Sequence, residues 1–320
     1  MLSNYLKIAS RNLLRQRGYS FLNVAGLSVG LACAFLIALW IRDEMSYDRF
    51  HESGDRIYRV RRHVQFGDDQ ILTQEAVPWP LARVLKEAYP EVEDVALITW
   101  PENLIFNRDE LSTRENGLYA DPGFFDMFSW GLIQGEPAVV LQDPTSVVLS
   151  ASLAEKYFGN DWQERAVGET IRIDNREDFI VTGVFEDIPH NSSLRFDFVL
   201  PMEEFVRRQN YDQLNNWSNN RFLLFVRTHE EADGAGLSEK ITNVQNDHIE
   251  GFRSDLFLQP YTDQHLYSTF EDGVLTVGRI EYYILIFAVV AFIIVLIACI
   301  NFYESRHGPL HAPGTRSRCS

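Results

Sequence analysis

Two stretches without a charged side chain bracket a long segment of mixed apolar and polar positions. No Asp, Glu, Lys or Arg occurs from Gly18 to Ile41, nor from Tyr282 to Phe302. At 1.5 Å of rise per residue, either run forms a helix that crosses ~30 Å of hydrocarbon. Aromatic rings stand where such helices would meet lipid headgroups: Tyr19, Phe21 and Trp40 for the first, Tyr282 and Tyr283 for the second. The pattern predicts transmembrane helices over 18–41 and 282–302, with one polar domain over 42–281 between them. Ala32-Cys33-Ala34 mimics a small-residue cleavage site, but it lies inside the first run with Phe35 to Ile41 still to come. The run is therefore read as an uncut anchor.

Within the polar domain the periodicity alternates between strand and helix. Ile57 to Gln65 has the two-residue alternation of a half-exposed strand. Strands are also predicted at Val95–Trp100, Asn103–Asn107, Val147–Leu149, Thr170–Asp174, Phe179–Phe185, Arg195–Leu200, Arg221–Val226 and Leu256–Tyr261. Leu81–Ala88 reads as a helix opened by Pro80 and stopped by Pro90. Asp121–Phe128 reads as a short capped helix. Leu153–Phe158 reads as a helix capped by Ser150 or Ser152 and ended by Gly159, and Leu237–Ile249 as another helix. The fold class is thus an α+β domain in two subdomains, one of them an insertion over about 120–220, flanked by two transmembrane helices.

Charge sets the expected orientation. The chain carries −16 overall; residues 1–42 carry +5 and residues 303–320 carry +2, which leaves −23 on residues 43–302. Basic flanks are retained in the cytoplasm on insertion. Both termini are then cytoplasmic and the acidic domain faces outward, into the periplasm of a bacterium. Such a domain repels phosphates, so no nucleic-acid partner is expected. The three cysteines are Cys33, Cys299 and Cys319, none of them in the outer domain, which therefore has no disulfide to stabilise it.

Catalytic motifs are missing. There is no Walker nucleotide loop, no H-E-x-x-H and no G-x-S-x-G. His51 beside Glu52 is read as a surface turn, and Asp187–Ser193 as a turn rather than a ligand cluster. Phe124, Phe125, Phe128 and Trp130 are read as core packing. Gly26 and Gly30 form a weak small-residue face on the first span. No catalytic, cofactor-binding or metal-ligating residue is assigned, no cofactor is expected, and the chain is read as non-catalytic.

An ordered series of motifs then matches one family. Tyr5 to Arg17 resembles the amphipathic cytoplasmic helix that opens permeases of the MacB/FtsX type, and Phe21-Leu22-Asn23-Val24-Ala25-Gly26 continues the resemblance into the span. Tyr47-Asp48-Arg49-Phe50-His51, Ile57-Tyr58-Arg59-Val60, Asp121-Pro122-Gly123-Phe124-Phe125, Ser150 to Gly159 and Thr182 to Pro189 follow in the family's order. The resemblance covers residues 1 to about 302. It implies a cytoplasmic amphipathic helix over 1–17 and a MacB-like periplasmic core domain over 42–281. It further implies an ABC-type permease subunit in the bacterial inner membrane, with ATP hydrolysis on a separate chain. Its implied partners are an ABC ATPase, a second permease subunit, a periplasmic adaptor and membrane lipid. Residues 42–47 and 278–282 would be the stalk joints of a mechanotransmission device that exports peptide, antibiotic or lipoprotein-like substrates.

Residues 303–320 depart from the family. A basic cytoplasmic segment is usual there, whereas this chain continues with Gly308, Pro309, Pro313 and Gly314 and ends at Ser320. Removing one base after the Phe302 codon of a permitted reverse translation restores a family-like basic segment. The tail is therefore expected to be a frameshift product, and the chain a truncated, non-coupling permease. The competing reading is a two-span periplasmic ligand sensor or scaffold, which should carry a signalling helix after its second span. A membrane-anchored periplasmic enzyme is the third, disfavoured by the missing motifs.

Overall fold

The computed structural model describes residues 17–65, 67 and 70–306. Expectations for 1–16 and 307–320, the amphipathic helix and most of the tail, lie outside the described residues. The chain forms two units, one comprising the segments before Ser46 and after Gly278, the other Ser46–Gly278.

In chain order, α1 is Arg17–Glu44, followed by a 3₁₀ turn at Gly54–Arg56, then β1 (Ile57–Gln65), β2 (Ile71–Gln74), β3 (Val77–Pro78) and α2 (Pro80–Ala88). Next come β4 (Val92–Ile98), β5 (Glu102–Arg108), β6 (Leu111–Ala120), α3 (Phe124–Met127), β7 (Leu132–Gln134), β8 (Ser146–Ser150), α4 (Ala151–Phe158) and α5 (Trp162–Arg165). They are followed by β9 (Thr170–Ile173), β10 (Glu177–Phe185), β11 (Phe198–Pro201), α6 (Met202–Arg207), α7 (Tyr211–Leu214), β12 (Asn220–Thr228) and α8 (Gly234–Ile241). The series ends with β13 (Arg253–Pro260), the hairpin of β14 (Phe270–Glu271) and β15 (Val274–Leu275), and α9 (Arg279–Arg306).

The first unit is a helix pair. α1 and α9 are long and apolar enough to cross a membrane, and only 6% of each candidate window is buried. A core helix of a soluble protein would hide such a surface; here Phe35, Leu36 and Phe292 stand exposed. The two helices touch through small residues. A Cβ at Gly30 would lie 3.3 Å from Ile294, Ala34 and Ala298 are buried, and Trp40 meets Phe287 edge-on at 5.2 Å. Gly26 has open space around it, so the expected small-residue face is only half used.

The second unit is an α+β domain. Among the described residues, thirteen strands join into one sheet, with a main path β11-β8-β10-β9-β5-β6-β4-β12-β1-β13. Successive strand residues point to opposite faces, so each strand feeds two cores. Leu97, Tyr119, Val147, Leu149, Leu224 and Val226 pack on one face, under α2, α4 and α8. Ala96, Ile98, Leu118, Val148, Leu223 and Phe225 pack on the other, against Phe124, Phe128, Trp130 and Tyr261. The 120–220 segment is stitched into this sheet at two places: β11 runs parallel to β6, and β9 runs antiparallel to β5.

The β6–β11 pairing depends on Gly117. A Cβ there would land on the carbonyl and ring of Phe198. Gly117→Ala is expected to destabilise the domain by about 1–3 kcal/mol through this overlap, seen as a lower Tm of the full chain in detergent.

Several expected elements need correction. Asp121 does not cap α3. Its carboxylate accepts the Leu97 N–H at 2.9 Å, and no side chain caps that helix at Gly123. The predicted helix 237–249 begins earlier and breaks after Ile241, because Leu256 N–H takes the Thr242 carbonyl and ties the following turn to β13. β11 starts at Phe198, three residues later than predicted. The long strand β6 was not foreseen.

Candidate functional site

Residues 46–51, which follow α1, form the first part of the site. Asp48 is wholly buried in a left-handed conformation, φ 58°. Asp and Asn tolerate that conformation better than other residues with a Cβ. Its N–H donates to the Asn191 carbonyl at 2.9 Å. Its carboxylate accepts the Ser193 N–H at 2.8 Å and the Ser193 hydroxyl. Asn191 in turn donates to the Ser46 carbonyl at 3.1 Å and hydroxyl at 3.0 Å. The predicted turn over 187–193 is thus present, and its role is to clasp residues 46–48. Tyr47 stacks on His265 with ring centroids 3.5 Å apart, joining the first residues of this unit to those that lead out of it. Burial raises the Asp48 carboxyl while Ser193 lowers it. Asp48→Ala is expected to cost about 1–2 kcal/mol through the two Ser193 hydrogen bonds it removes, with Asp48→Asn recovering most of it, by thermal unfolding.

His51 is not on a surface turn. It is 5% exposed and ringed by Phe50, Phe128, Trp130 and Tyr261, with centroids 4.2 to 5.3 Å away. Its Nδ1 accepts the Ser129 N–H at 3.1 Å. Nε2 therefore carries the proton of the neutral ring. Burial pulls its pKa down to about 4. The aromatic group around Phe124, Phe128 and Trp130 is core packing, as expected. Asp187, also in an expected motif, accepts the Ser152 N–H at 2.9 Å and the Ser152 hydroxyl, and so holds the start of α4.

β1 carries the second part of the site. Arg59, Arg61 and Arg62 are each buried. Arg59 pairs with Glu75 at 2.7 Å and donates to Gln264 at 2.9 Å; Arg61 reaches the same Glu75 at 3.4 Å and donates to Gln259 at 2.9 Å. Arg62 lies on the other face and donates to the Ala76 carbonyl at 2.7 Å; burial lowers its pKa to about 10. Two guanidinium groups thus share one carboxylate, an arrangement that leaves positive charge in a strongly acidic domain. Beside Arg59 a cleft of about 440 Å³ opens between Trp100, Arg195, Tyr261 and Gln264. No local motif marks it, because its walls come from β1, the β4–β5 turn, the 193–195 loop and the segment after β13. Among the described residues there is no cluster of His, Cys, Asp and Glu able to hold a metal.

A family model, the MacB-like periplasmic core domain, matches residues 20–244. The chain belongs to this family. Among solved structures, a domain of a protein described as a permease, from Porphyromonas gingivalis, is 26% identical with a TM-score of 0.53; the match covers 73% of this chain and 98% of that one. The periplasmic region of MacB from Actinobacillus actinomycetemcomitans is 18% identical with a TM-score of 0.48, covering 66% and 91%. The extracellular domain of the ABC-type transporter YknZ from Gram-positive bacteria is 15% identical with a TM-score of 0.42, covering 61% and 98%. No curated protein matches the chain.

Proposed function

We propose that the chain is a non-catalytic permease subunit of an ABC-type transporter or mechanotransmission complex in the bacterial inner membrane. The observation that carries this reading is a MacB-like periplasmic core domain inserted between two apolar helices with exposed flanks. Both termini face the cytoplasm, in keeping with the +5 carried by residues 1–42. ATP hydrolysis is assigned to a separate ATPase chain, and a second permease subunit completes a symmetric pair. Movement of the spans would reach the domain through residues 42–47 and 278–282, and the Asp48–Ser193 clasp and the Tyr47–His265 stack make the domain's own ends rigid enough to transmit it. The cargo class is peptide, antibiotic or lipoprotein-like.

Affinity purification of the chain from native membranes in mild detergent tests this. A co-purifying chain with a Walker loop, in a fixed ratio to the bait, supports the reading. Its consistent absence, with ligand-dependent signalling partners in its place, favours the two-span sensor.

A further inference from the structure

We propose that the cleft beside Arg59 binds a small monocarboxylate carrying an aromatic or apolar group. The first ground is a set of polar atoms without partners. Arg59 Nε, Tyr261 Oη and Gln264 Nε2 are buried, lack any hydrogen-bond partner, and belong to residues that line this one cleft. Buried donors of this kind are rare in folded proteins, and three in one place call for an acceptor. Each of the three atoms can donate. Arg59 Nε and Gln264 Nε2 can do nothing else, because the Gln264 carbonyl already accepts from Arg59. A carboxylate offers acceptors alone and so complements the set; a hydroxyl or amide ligand would bring donors of its own.

Charge points the same way. Arg59 and Arg61 share Glu75, and Arg195 also lines the cleft. Two guanidinium groups against the one carboxylate of Glu75 leave a surplus of one positive charge at this wall, which suits a monoanion. This spot stands out in a segment that is otherwise strongly negative, so an anion has little else in the domain to attract it. Arg59 is only 8% exposed, and desolvation lowers its pKa while Glu75 opposes this. A second carboxylate would relieve the same cost.

The apolar part of the ligand has a wall to meet. Trp100 is 46% exposed at the rim, an unusual state for an indole, and the Arg59 guanidinium lies 5.9 Å from its ring centroid and 5.9 Å from that of Phe225. A ring or branched chain placed there would cover the indole while its carboxylate reaches the donors. The cleft volume of about 440 Å³ falls within the range of small-ligand sites. The peptide C-terminus and the free aryl acid share this chemistry.

Calorimetry of the full chain in detergent micelles tests the proposal with four probes: acetyl-Leu-Phe as the free acid and as its C-terminal amide, and 3-phenylpropionate and its amide. Both acids are expected to bind, with each amide at least about tenfold weaker because it loses the charge and adds donors. Tighter binding by the dipeptide identifies a peptide end as the ligand, and tighter binding by 3-phenylpropionate identifies an aryl acid. Trp100→Ala and Arg195→Gln alter exposed side chains, and each is expected to weaken the acids by at least about fivefold with an unchanged Tm. Equal binding of acid and amide, no binding of either acid at about 10 mM, or binding indifferent to both substitutions would overturn the proposal.

Discussion

Phe128→Ala is expected to destabilise the outer domain by about 3–5 kcal/mol, enough to lower the Tm of the full chain in detergent by several degrees. Phe128 has no exposed surface. Its ring meets Phe124 at 5.4 Å, Trp130 at 4.7 Å, Phe225 at 5.2 Å, Tyr261 at 5.1 Å and His51 at 5.2 Å. These neighbours come from α3, the segment after it, β12, the turn that follows β13 and the entry turn, so one truncation loosens five parts of the chain at once. The relaxation that softens many cavities is blocked here, because the surrounding rings also pack tilted or edge-on against one another. Phe128→Leu should recover most of the loss. A similar penalty for both variants would show that the ring geometry, rather than the volume, is what the site needs.

Acidification should expose a hidden opposition between two buried groups. His51 has a folded pKa of about 4, below the ordinary histidine value of 6.5. The unfolded chain takes up this proton first, so the His51 contribution is intact above pH 6.5 and is lost as pH falls toward 4. Asp121 has the opposite sign. Burial, with Asp94 adding to it, raises its pKa from 3.8 to about 6 against the Leu97 N–H. Its protonated form suits the fold, so its contribution is full below pH 3.8 and is lost as pH rises through 6. At 1.36 kcal/mol per unit, each change amounts to about 3 kcal/mol. The two windows overlap and largely cancel. Asp48, raised in the same direction as Asp121, acts with it.

Unfolding curves at pH 7 and pH 4 resolve the pair. His51→Asn keeps an acceptor for the Ser129 N–H and removes the acid-labile ring, so relative to the parent it should gain about 3 kcal/mol on going to pH 4. Asp121→Asn should lose a similar amount over the same interval. Parallel pH profiles for the parent and both variants would contradict the account of these two sites.

The structure separates what local pattern can reveal from what it cannot. The bounds of β1 were legible to the residue, but its half-exposed character was not: residues 59–62 are all buried and no position of the strand is exposed, because β12, β13 and β2 pair along it and both of its faces are covered. α4 was legible because Ser150 accepts the Leu153 N–H and Gly159 takes a positive φ of 77°, both signals written in sequence. β6 was missed because Ser112-Thr113-Arg114-Glu115-Asn116-Gly117 is a polar run with no apolar alternation. Those polar residues are tolerated in a strand by partners far along the chain. Glu115, 7% exposed, receives Lys156 at 2.6 Å and Tyr157 at 2.9 Å. His51 was misread for the same reason: its burial comes from Phe128, Trp130 and Tyr261, none of them its neighbour in sequence. The cleft is the extreme case. Arg59, Trp100, Arg195 and Gln264 look like ordinary residues of a strand, a turn and two loops until the sheet brings them together.

The proposed function requires a MacB-like domain outside the membrane, between two spans. Its most direct test uses the absence of cysteine from residues 46–278. Tyr211 is 71% exposed on that domain, so Tyr211→Cys places a thiol in the open without touching the core. A membrane-impermeant maleimide is added to intact spheroplasts expressing this variant. With Cys33, Cys299 and Cys319 replaced by Ala in both chains, so that no native thiol labels on lysis, the variant should label fully before lysis and the parent not at all; labelling of the variant only after lysis would contradict this.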